Sequence, residues 1–365
     1  MYSTTFFSPS YPLSLSHVHM QERKCEIENM EESKGRVCVT GGTGFIGSWI
    51  IKNLLQHGYS VNTTVRSNPA EHKRDISFLT NLPGASQNLQ ILSADLSNPE
   101  SFGAAIEGCI GVFHVASPME FELKEPEEVM IKRTTDGALG ILKACLNSNT
   151  VKRVIYTSSS SAVLYHNSGK HDHEEVVLNE SFWSDVDYLR ASKINGWFYY
   201  VSKTLTEKAV LEFGEESGLD VVTLVPTFVI GPFICPKLPG SVRASLSLAF
   251  GDKGPFGSLA SLLQVPMVHV DDVARAHIFL LEHANPKGRY NCSSSLVTVE
   301  TISQLVSSKY PEFQLLTLDK LKQTEGAKLQ NLSSKKLIDA GFVFKYGLEE
   351  MVDDAIRCCK EKGYI

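Results

Sequence analysis

Val37-Cys38-Val39-Thr40-Gly41-Gly42-Thr43-Gly44-Phe45-Ile46-Gly47 is the stretch whose reading decides the fold. A short apolar run breaks into clustered glycines and resumes as Phe45, Ile46, Trp49, Ile50, Leu54 and Leu55, apolar at helical spacing up to Gly58. The stretch therefore reads as strand, tight turn and helix. Such a turn leaves no room for side chains, lets backbone approach a pyrophosphate, and packs the helix close against the strand. Free amides at the helix start, with the positive end of its dipole, suit phosphate charge. Two glycine spacings coexist: Gly42, Gly44 and Gly47 fit one dinucleotide-binding pattern, and Gly41, Gly44 and Gly47 fit a wider one. The candidate phosphate cradle is Gly41, Gly44, Phe45, Ile46 and Gly47.

A second strand over Ser60 to Val65 ends in Arg66-Ser67-Asn68-Pro69. About 20 residues beyond the glycines is where an acidic side chain would hold the ribose 2′-hydroxyl of NAD. No acid stands there. Arg66 offers a guanidinium to a 2′-phosphate instead, with Lys73 or Arg74 placed to close on it, so NADPH is favoured over NADH.

Outward from this unit, short apolar runs alternate with helical ones. Leu89 to Ser93 reads as a strand followed by Asp95 and Leu96, which places Asp95 at a strand end facing an adenine. Asn98, with Pro99 after it, fits the start of a further helix. Gly111 to Val115 reads as a strand leading into Ala116, Ser117 and Pro118. Pro126 to Asn147 is a long helix, Val151 to Tyr156 a fifth strand, and Asp220 to Val225 a sixth, broken by Pro226. The alternation predicts an α/β fold with right-handed crossovers and a doubly wound parallel sheet.

Ligands of open α/β sheets bind at the carboxyl ends of the strands. Thr157 to Ser161, a run of hydroxyls, sits at such an end. Downstream, Trp197-Phe198-Tyr199-Tyr200-Val201-Ser202-Lys203 places Tyr199 and Lys203 four apart, on one helix face. An ammonium beside a phenol favours the phenolate and lowers its pKa from about 10. A serine hydroxyl can orient the same oxygen or hold a carbonyl. Cradle, serine-ended strand and Tyr/Lys pair, in that order, point to hydride-transfer chemistry. His166, His171 and His173, with Asp172, Glu174 and Glu175, read as a solvated loop rather than a metal centre, because no regular element fixes them.

The 365 residues, 42% hydrophobic and 21% charged, suffice for a large α/β unit and a smaller lobe. A net charge of -6 offers no basic footprint for nucleic acid or anionic membrane. No apolar run approaches the roughly 18 residues a bilayer demands. Eight cysteines without paired CxxC spacing read as reduced thiols, consistent with a cytoplasmic protein. Residues 1–33, rich in Ser, Tyr and Pro and containing a further methionine, Met30, just before the first strand, are expected to be a disordered leader. Residues 34–226 are expected to form the nucleotide-binding domain, and 227–365 mainly a substrate lobe with some segments returning. Phe233 to Val265 lacks periodicity and reads as a mobile cover, and a strand is expected over Met267 to Val270.

Together with Gly35-Arg36-Val37-Cys38-Val39-Thr40-Gly41-Gly42, Lys132-Arg133, Asp136-Gly137-Ala138-Leu139-Gly140 and Cys358-Cys359-Lys360-Glu361-Lys362-Gly363-Tyr364, these residues resemble the extended short-chain dehydrogenase/reductase superfamily, in its plant dihydroflavonol 4-reductase-like branch, over about residues 34–365. The resemblance implies a Rossmann fold, with Ser159, Tyr199 and Lys203 as catalytic residues. It also implies Arg66 and Lys73 on a 2′-phosphate, Asp95 and Leu96 beside adenine, and Val115, Ala116, Ser117 and Pro226 beside nicotinamide. Tyr199 and Lys203 count among the cofactor contacts, and Met119, Leu164 and Phe228 are the candidate substrate contacts. The implied reaction is NADPH-dependent reduction of an aromatic ketone, the C4 carbonyl of a 2′-hydroxyisoflavanone, by a monomer or weak associate of other pathway enzymes. Two departures bear on substrate: Leu164 replaces an asparagine that reads B-ring hydroxyls in dihydroflavonol 4-reductases, and Trp197-Phe198-Tyr199-Tyr200 replaces the Asn-Trp-Tyr-Cys of cinnamoyl-CoA reductases. Thr134 stands where many relatives carry a proton-relay asparagine. A nucleotide-sugar epimerase is opposed by Arg66, and a non-catalytic NADP-binding regulator by the intact Ser159, Tyr199 and Lys203.

Overall fold

Alternation along β1 (Arg36–Thr40) sorts its side chains onto two faces of a sheet. Val37 and Val39 join the apolar cluster that holds Trp49, Ile50, Leu54, Val273, Ala276 and Leu280. Cys38 points the other way, into a cluster with Ala138, Ile141, Leu142, Val154 and Val210. A strand buried on both faces has no polar side to offer water, which is why β1 reads as an unbroken apolar run.

The structure, a computed structural model, describes Met1 and residues 34–66, 75–118, 125–166, 176–247, 262–313 and 327–365. After β1 come α1 (Phe45–Gln56), β2 (Ser60–Val65), β3 (Leu89–Ser93), β4 (Gly111–His114), α2 (Glu127–Ser148), β5 (Arg153–Thr157) and β6 (Val177–Leu178). Then follow α3 (Trp197–Ser217), β7 (Val221–Pro226), β8 (Phe228–Ile230), β9 (Leu262–His269), α4 (Val270–Glu282) and β10 (Gly288–Cys292). The chain closes with β11 (Ser295–Thr298), α5 (Val299–Lys309), β12 (Ala327–Lys328), β13 (Asn331–Leu332) and α6 (Leu348–Glu361).

Seven strands form the central sheet in the order β10-β7-β5-β4-β1-β2-β3, every neighbouring pair parallel. From β1 the order runs outward to β2 and β3 on one side, and through β4 to β10 on the other. The carboxyl ends of β1 and β4 therefore flank the topological switch point, where a crevice opens in such sheets. The α1 and α4 side chains cover one face, and α2 and α3 the other.

Two expectations need correction. The sixth strand of the sheet is not broken at Pro226. Pro226 is its last residue, paired with Cys292, and after Thr227 the chain enters β8. Proline lacks a donor, but at a strand end that donor is dispensable. The strand expected from Met267 begins at Leu262 instead. Pro266 falls where β9 changes neighbours on one side: residues 262–264 pair with β12 and 267–269 with β8. Along the other side β11 runs antiparallel to 264–267. A short helix, Gly240–Ser245, also lies inside the stretch read as aperiodic.

The second sheet buries Val265, Met267, Ile230 and Val297 against Ile302 and Val306 of α5 and Met351, Val352, Ala355 and Ile356 of α6. The remaining strands, β6 and β13, pair with each other. Apart from Met1 the expected leader, with Lys73, Arg74, Met119, His171 and His173, lies outside the described residues.

Candidate active site

The cradle is built by close approach. Gly41 has φ +73°, and a Cβ there would sit 2.9 Å from Ala116 Cα. A Cβ on Gly47 would lie 2.4 Å from the Gly41 carbonyl oxygen, and one on Gly44 3.3 Å from it. Gly41, Gly44 and Gly47 thus close the turn. Gly42 serves the packing behind it, since a Cβ there would strike Thr63 Oγ1 at 2.0 Å and Ile51 Cδ1 at 2.6 Å; its absence lets α1 sit on the sheet. The turn holds itself with Gly44 N–H donating to the Gly41 carbonyl at 3.0 Å, and α1 starts at Phe45 with first-turn amides that have no partner within the helix.

Across the switch point, Thr40 ties β1 to β4. Its hydroxyl oxygen accepts from the Val115 and Ala116 amides, each at 3.1 Å, and lies 3.0 Å from His114 Nδ1. With its oxygen already accepting two amides, the Thr40 hydroxyl donates its hydrogen bond to Nδ1, so His114 is the neutral tautomer that carries its proton on Nε2. Burial, with the Lys203 charge adding to it, pushes His114 down to about 3, which agrees with that assignment. Val115, Ala116 and Ser117 leave the strand end half-buried, and Ser117 Oγ is buried without a hydrogen-bond partner among the described residues. A cradle that excludes Cβ atoms, followed by an orphaned hydroxyl, fits a dinucleotide laid from α1 across to β4.

Arg66 stands exposed just past β2. The Ser97 amide and hydroxyl donate to Asp95 Oδ1 at 2.8 and 2.7 Å and hold that carboxyl below the usual carboxylate range, with the Arg66 charge adding to the effect. The two side chains therefore flank the mouth of the β2–β3 end. Leu96 packs on α2, its carbonyl 3.2 Å from where a Gly137 Cβ would stand. Asn98 makes no side-chain cap; the chain there forms one turn of 3₁₀ helix, Pro99–Phe102.

Ser159 leaves β5 in extended conformation and accepts the Ser161 amide at 3.2 Å. Its hydroxyl also hydrogen-bonds Tyr199, which reaches it from the first turn of α3. Burial raises Tyr199 to about 12, and the Ser159 bond opposes that rise. One helical turn on, Lys203 is buried and donates from Nζ to the Thr157 carbonyl at 3.0 Å, over the Tyr156 ring. Burial lowers Lys203 to about 8, against the pull of Glu207. The expectation that Lys203 depresses the phenol is thus corrected: its ammonium is engaged at the end of β5, desolvation dominates at Tyr199, and the phenol stays neutral at pH 7.

Pro226 is buried at the end of β7. Leu164 is only 8% exposed and packs with Val163, Leu178, Val225 and Leu332, so its surroundings are apolar. Phe228 is half-buried in β8, against the second core. The Thr134 hydroxyl donates to Met130 O of its own helix at 2.9 Å. His166 sits beside the Phe182 ring. Among the described residues no three His, Cys, Asp or Glu side chains are grouped to hold a metal ion.

Sequence reading missed the polar groups behind the site. Glu207 lies four residues past Lys203, a spacing that flags it, but its partner Arg289 is distant in sequence and only the fold joins them. Thr40 and His114 likewise look like plain strand ends in the sequence.

Comparison with known proteins fits this arrangement. The family described as "NAD dependent epimerase/dehydratase family" matches residues 37–293. Vestitone reductase of Medicago sativa is 64% identical over 336 residues, covering 92% of this chain and 100% of that one. The crystal structure of the alfalfa enzyme superposes with a TM-score of 0.81 at 61% identity, covering 91% and 100%. Dihydroflavonol 4-reductase of Arabidopsis thaliana is 45% identical, covering 92% of this chain and 85% of that one. Yeast methylglyoxal/isovaleraldehyde reductase, solved with NADPH, reaches a TM-score of 0.74 at 25% identity, covering 90% and 100%. The chain belongs to the NAD dependent epimerase/dehydratase family of extended short-chain dehydrogenases/reductases, in the group that contains vestitone reductase and dihydroflavonol 4-reductase, and is an NAD(P)-dependent oxidoreductase.

Proposed function

We propose that this protein uses NADPH to reduce the ketone of a flavonoid-type substrate, the C4 carbonyl of a vestitone-like 2′-hydroxyisoflavanone. One observation carries the reading: the Ser159–Tyr199 hydrogen bond, one helical turn from buried Lys203, lies at the carboxyl ends of a parallel sheet in a chain 64% identical to vestitone reductase. In this reading Gly41, Gly44, Phe45, Ile46 and Gly47 hold the pyrophosphate, and Arg66 with Lys73 takes the 2′-phosphate. Asp95 and Leu96 flank adenine. Val115, Ala116, Ser117 and Pro226 line the nicotinamide side, with Tyr199 and Lys203 beside its ribose. Bound there, the nicotinamide supplies the hydride.

Tyr199, a neutral phenol, gives its proton to the substrate oxygen, and Ser159 holds that oxygen by a second hydrogen bond. Lys203 adds positive charge where negative charge develops, an interaction stronger in the transition state than in the ground state. Leu164 lies in an apolar cluster, so this position offers no side-chain partner of the kind an asparagine gives a dihydroflavonol B-ring hydroxyl. Residues 34–226 with β10 and α4 hold the nucleotide in this reading, and the second sheet, with Phe228, faces an aromatic substrate; Met119 is a further candidate contact outside the described residues. A cytoplasmic location suits the seven buried free thiols found among the described residues, where no helix is long and apolar enough to cross a membrane.

The test follows NADPH absorbance with a panel of isoflavanones, dihydroflavonols and cinnamoyl thioesters. Turnover is expected first with the 2′-hydroxyisoflavanone. Tyr199→Phe should lower kcat on the order of 10²- to 10⁴-fold while NADPH still binds. Undiminished turnover by that variant would remove Tyr199 from the mechanism; NADPH binding without turnover on any ketone would favour a regulatory protein.

A further inference from the structure

Behind the candidate site lies a charge that the proposed reaction does not use. Glu207, on α3 one turn past Lys203, is fully buried. Its carboxylate accepts four hydrogen bonds: from Ser158 Oγ at 2.6 Å, Thr223 Oγ1 at 2.6 Å, Arg289 Nε at 2.9 Å and Arg289 Nη2 at 3.2 Å. A buried carboxylate survives only when it is paired and its lone pairs are filled, and here both conditions hold.

The partners matter for where they come from. Ser158 directly follows β5 and precedes Ser159, Thr223 lies in β7 and Arg289 in β10, so one carboxylate ties α3 to β7, β10 and the carboxyl end of β5, three adjacent strands. Arg289 also donates from Nη1 to the Glu180 and Phe182 carbonyls, at 3.0 and 2.6 Å, and its guanidinium lies 3.5 Å from the centre of the Trp183 ring. Ser184, next along, donates to the Ser161 carbonyl at 2.7 Å and accepts the Tyr165 amide at 3.0 Å. The chain on either side of Ser159 is thereby held: Ser158 by Glu207, and 161–165 through the segment that Arg289 grips.

We propose that the Glu207–Arg289 pair is a positioning element of the catalytic site, setting the place of Ser159 through Ser158 and keeping Lys203 charged. This rests on the catalytic reading of Ser159, Tyr199 and Lys203 given above. The titratable groups around Lys203 are Tyr199 on its own helix, Tyr156 on β5, His114 on β4 and Glu207. At neutral pH the phenols and His114 are uncharged, so Glu207 supplies the negative charge that opposes loss of the Lys203 proton.

The test measures kcat and kcat/KM against pH for the full-length chain with NADPH and its ketone. The variants are Ser158→Ala, Glu207→Gln combined with Arg289→Met, and Tyr199→Phe as reference. Removing both partners avoids leaving an uncompensated buried charge. The double variant should show its basic limb, set by Lys203 near pH 8, displaced to lower pH, and kcat reduced on the order of 10²-fold by misplacement. Ser158→Ala should lower kcat with the basic limb in place, since it removes a hydrogen bond but no charge. A double variant with the wild-type limb, or Ser158→Ala with wild-type kcat, overturns the proposal. If the double variant does not fold, Ser158→Ala decides alone. Should Tyr199→Phe retain turnover, the catalytic reading itself fails; if it is inactive while the other two behave as wild type, only the positioning role falls.

Discussion

Gly47→Ala sets two effects of known size against each other. Gly47 is the third residue of α1, where alanine is the better helix former by about 1 kcal/mol. Against that stands the turn: the added methyl would lie 2.4 Å from the Gly41 carbonyl oxygen, 3.0 Å from its carbon and 3.2 Å from Gly42 Cα. All three are backbone atoms, so no side chain can swing aside, and ordinary contact needs a withdrawal of about 1 Å. Overpacking of this kind costs about 1–3 kcal/mol, which leaves a net destabilisation of at most about 2 kcal/mol after the helix gain. The larger effect falls on ligand. A helix displaced by about an ångström takes its first-turn amides with it, and loss of one charged hydrogen bond, about 1.5–3 kcal/mol, weakens NADPH binding on the order of 10- to 100-fold. NADPH fluorescence titration reads the affinity, and urea unfolding without nucleotide reads the stability. Gly103→Ala is the control: also helical, at φ -52°, with nothing within 4 Å of its Cβ position, it should be neutral or stabilising and bind normally. A Gly47→Ala protein with wild-type NADPH affinity and an unchanged unfolding midpoint would refute the close-approach argument.

Two further outcomes follow from charge. Arg66→Ala should weaken NADPH on the order of tenfold and leave NADH unchanged, an effect that shrinks as salt rises because Arg66 is exposed; equal losses for the two nucleotides would take Arg66 off the 2′-phosphate. Stability should fall with acid because His114 and His277 are buried neutral, pushed down by burial to about 3 and about 4. His277 is fixed by the Thr157 hydroxyl at Nε2 and the Val273 carbonyl at Nδ1, each at 2.7 Å. Unfolded, both histidines protonate near 6.5, so the unfolded chain binds more protons below that pH and the contribution is lost as pH falls from about 6.5 toward 4 and then 3. Each adds a slope of up to about 1.4 kcal/mol per pH unit, to be read from urea midpoints between about pH 7 and about pH 5. A midpoint that does not move in that window contradicts the buried neutral assignment.

What could be read from the sequence was local. The cradle, the long helices and the strands of the central sheet carry their period in consecutive residues, so Leu89–Ser93 is legible to the residue and α2 to within one. Tyr199 and Lys203 share a helix, so their spacing alone fixes a common face. Pro226 misleads a reader who takes proline as a breaker, whereas its cost depends on which neighbour its missing donor would have faced, and Pro266 likewise sits inside β9. Glu207–Arg289 is out of reach for another reason: 82 positions separate the partners, and a buried pair of that kind leaves no pattern in either segment. The pKa of Tyr199 escapes likewise, since desolvation depends on the atoms packed around the phenol rather than on its neighbours in the chain.

The order of strands also bears on how the protein is made. β10 completes the central sheet beside β7, yet it is translated only after β8 and β9 of the second sheet. Until then β7 is an open edge, and Glu207 waits without the guanidinium that neutralises it. A ribosome stalled anywhere between β7 and β10 holds a nascent chain in which every pairing of the central sheet except β7 with β10 is available, while the Glu207 carboxylate lacks its cation. Closing that edge requires contacts distant in sequence, the slow class of folding event. Arg289 thus arrives as a late latch, and the Glu207 carboxylate that holds Ser158, next to Ser159, gains its paired cation only when the edge strand docks.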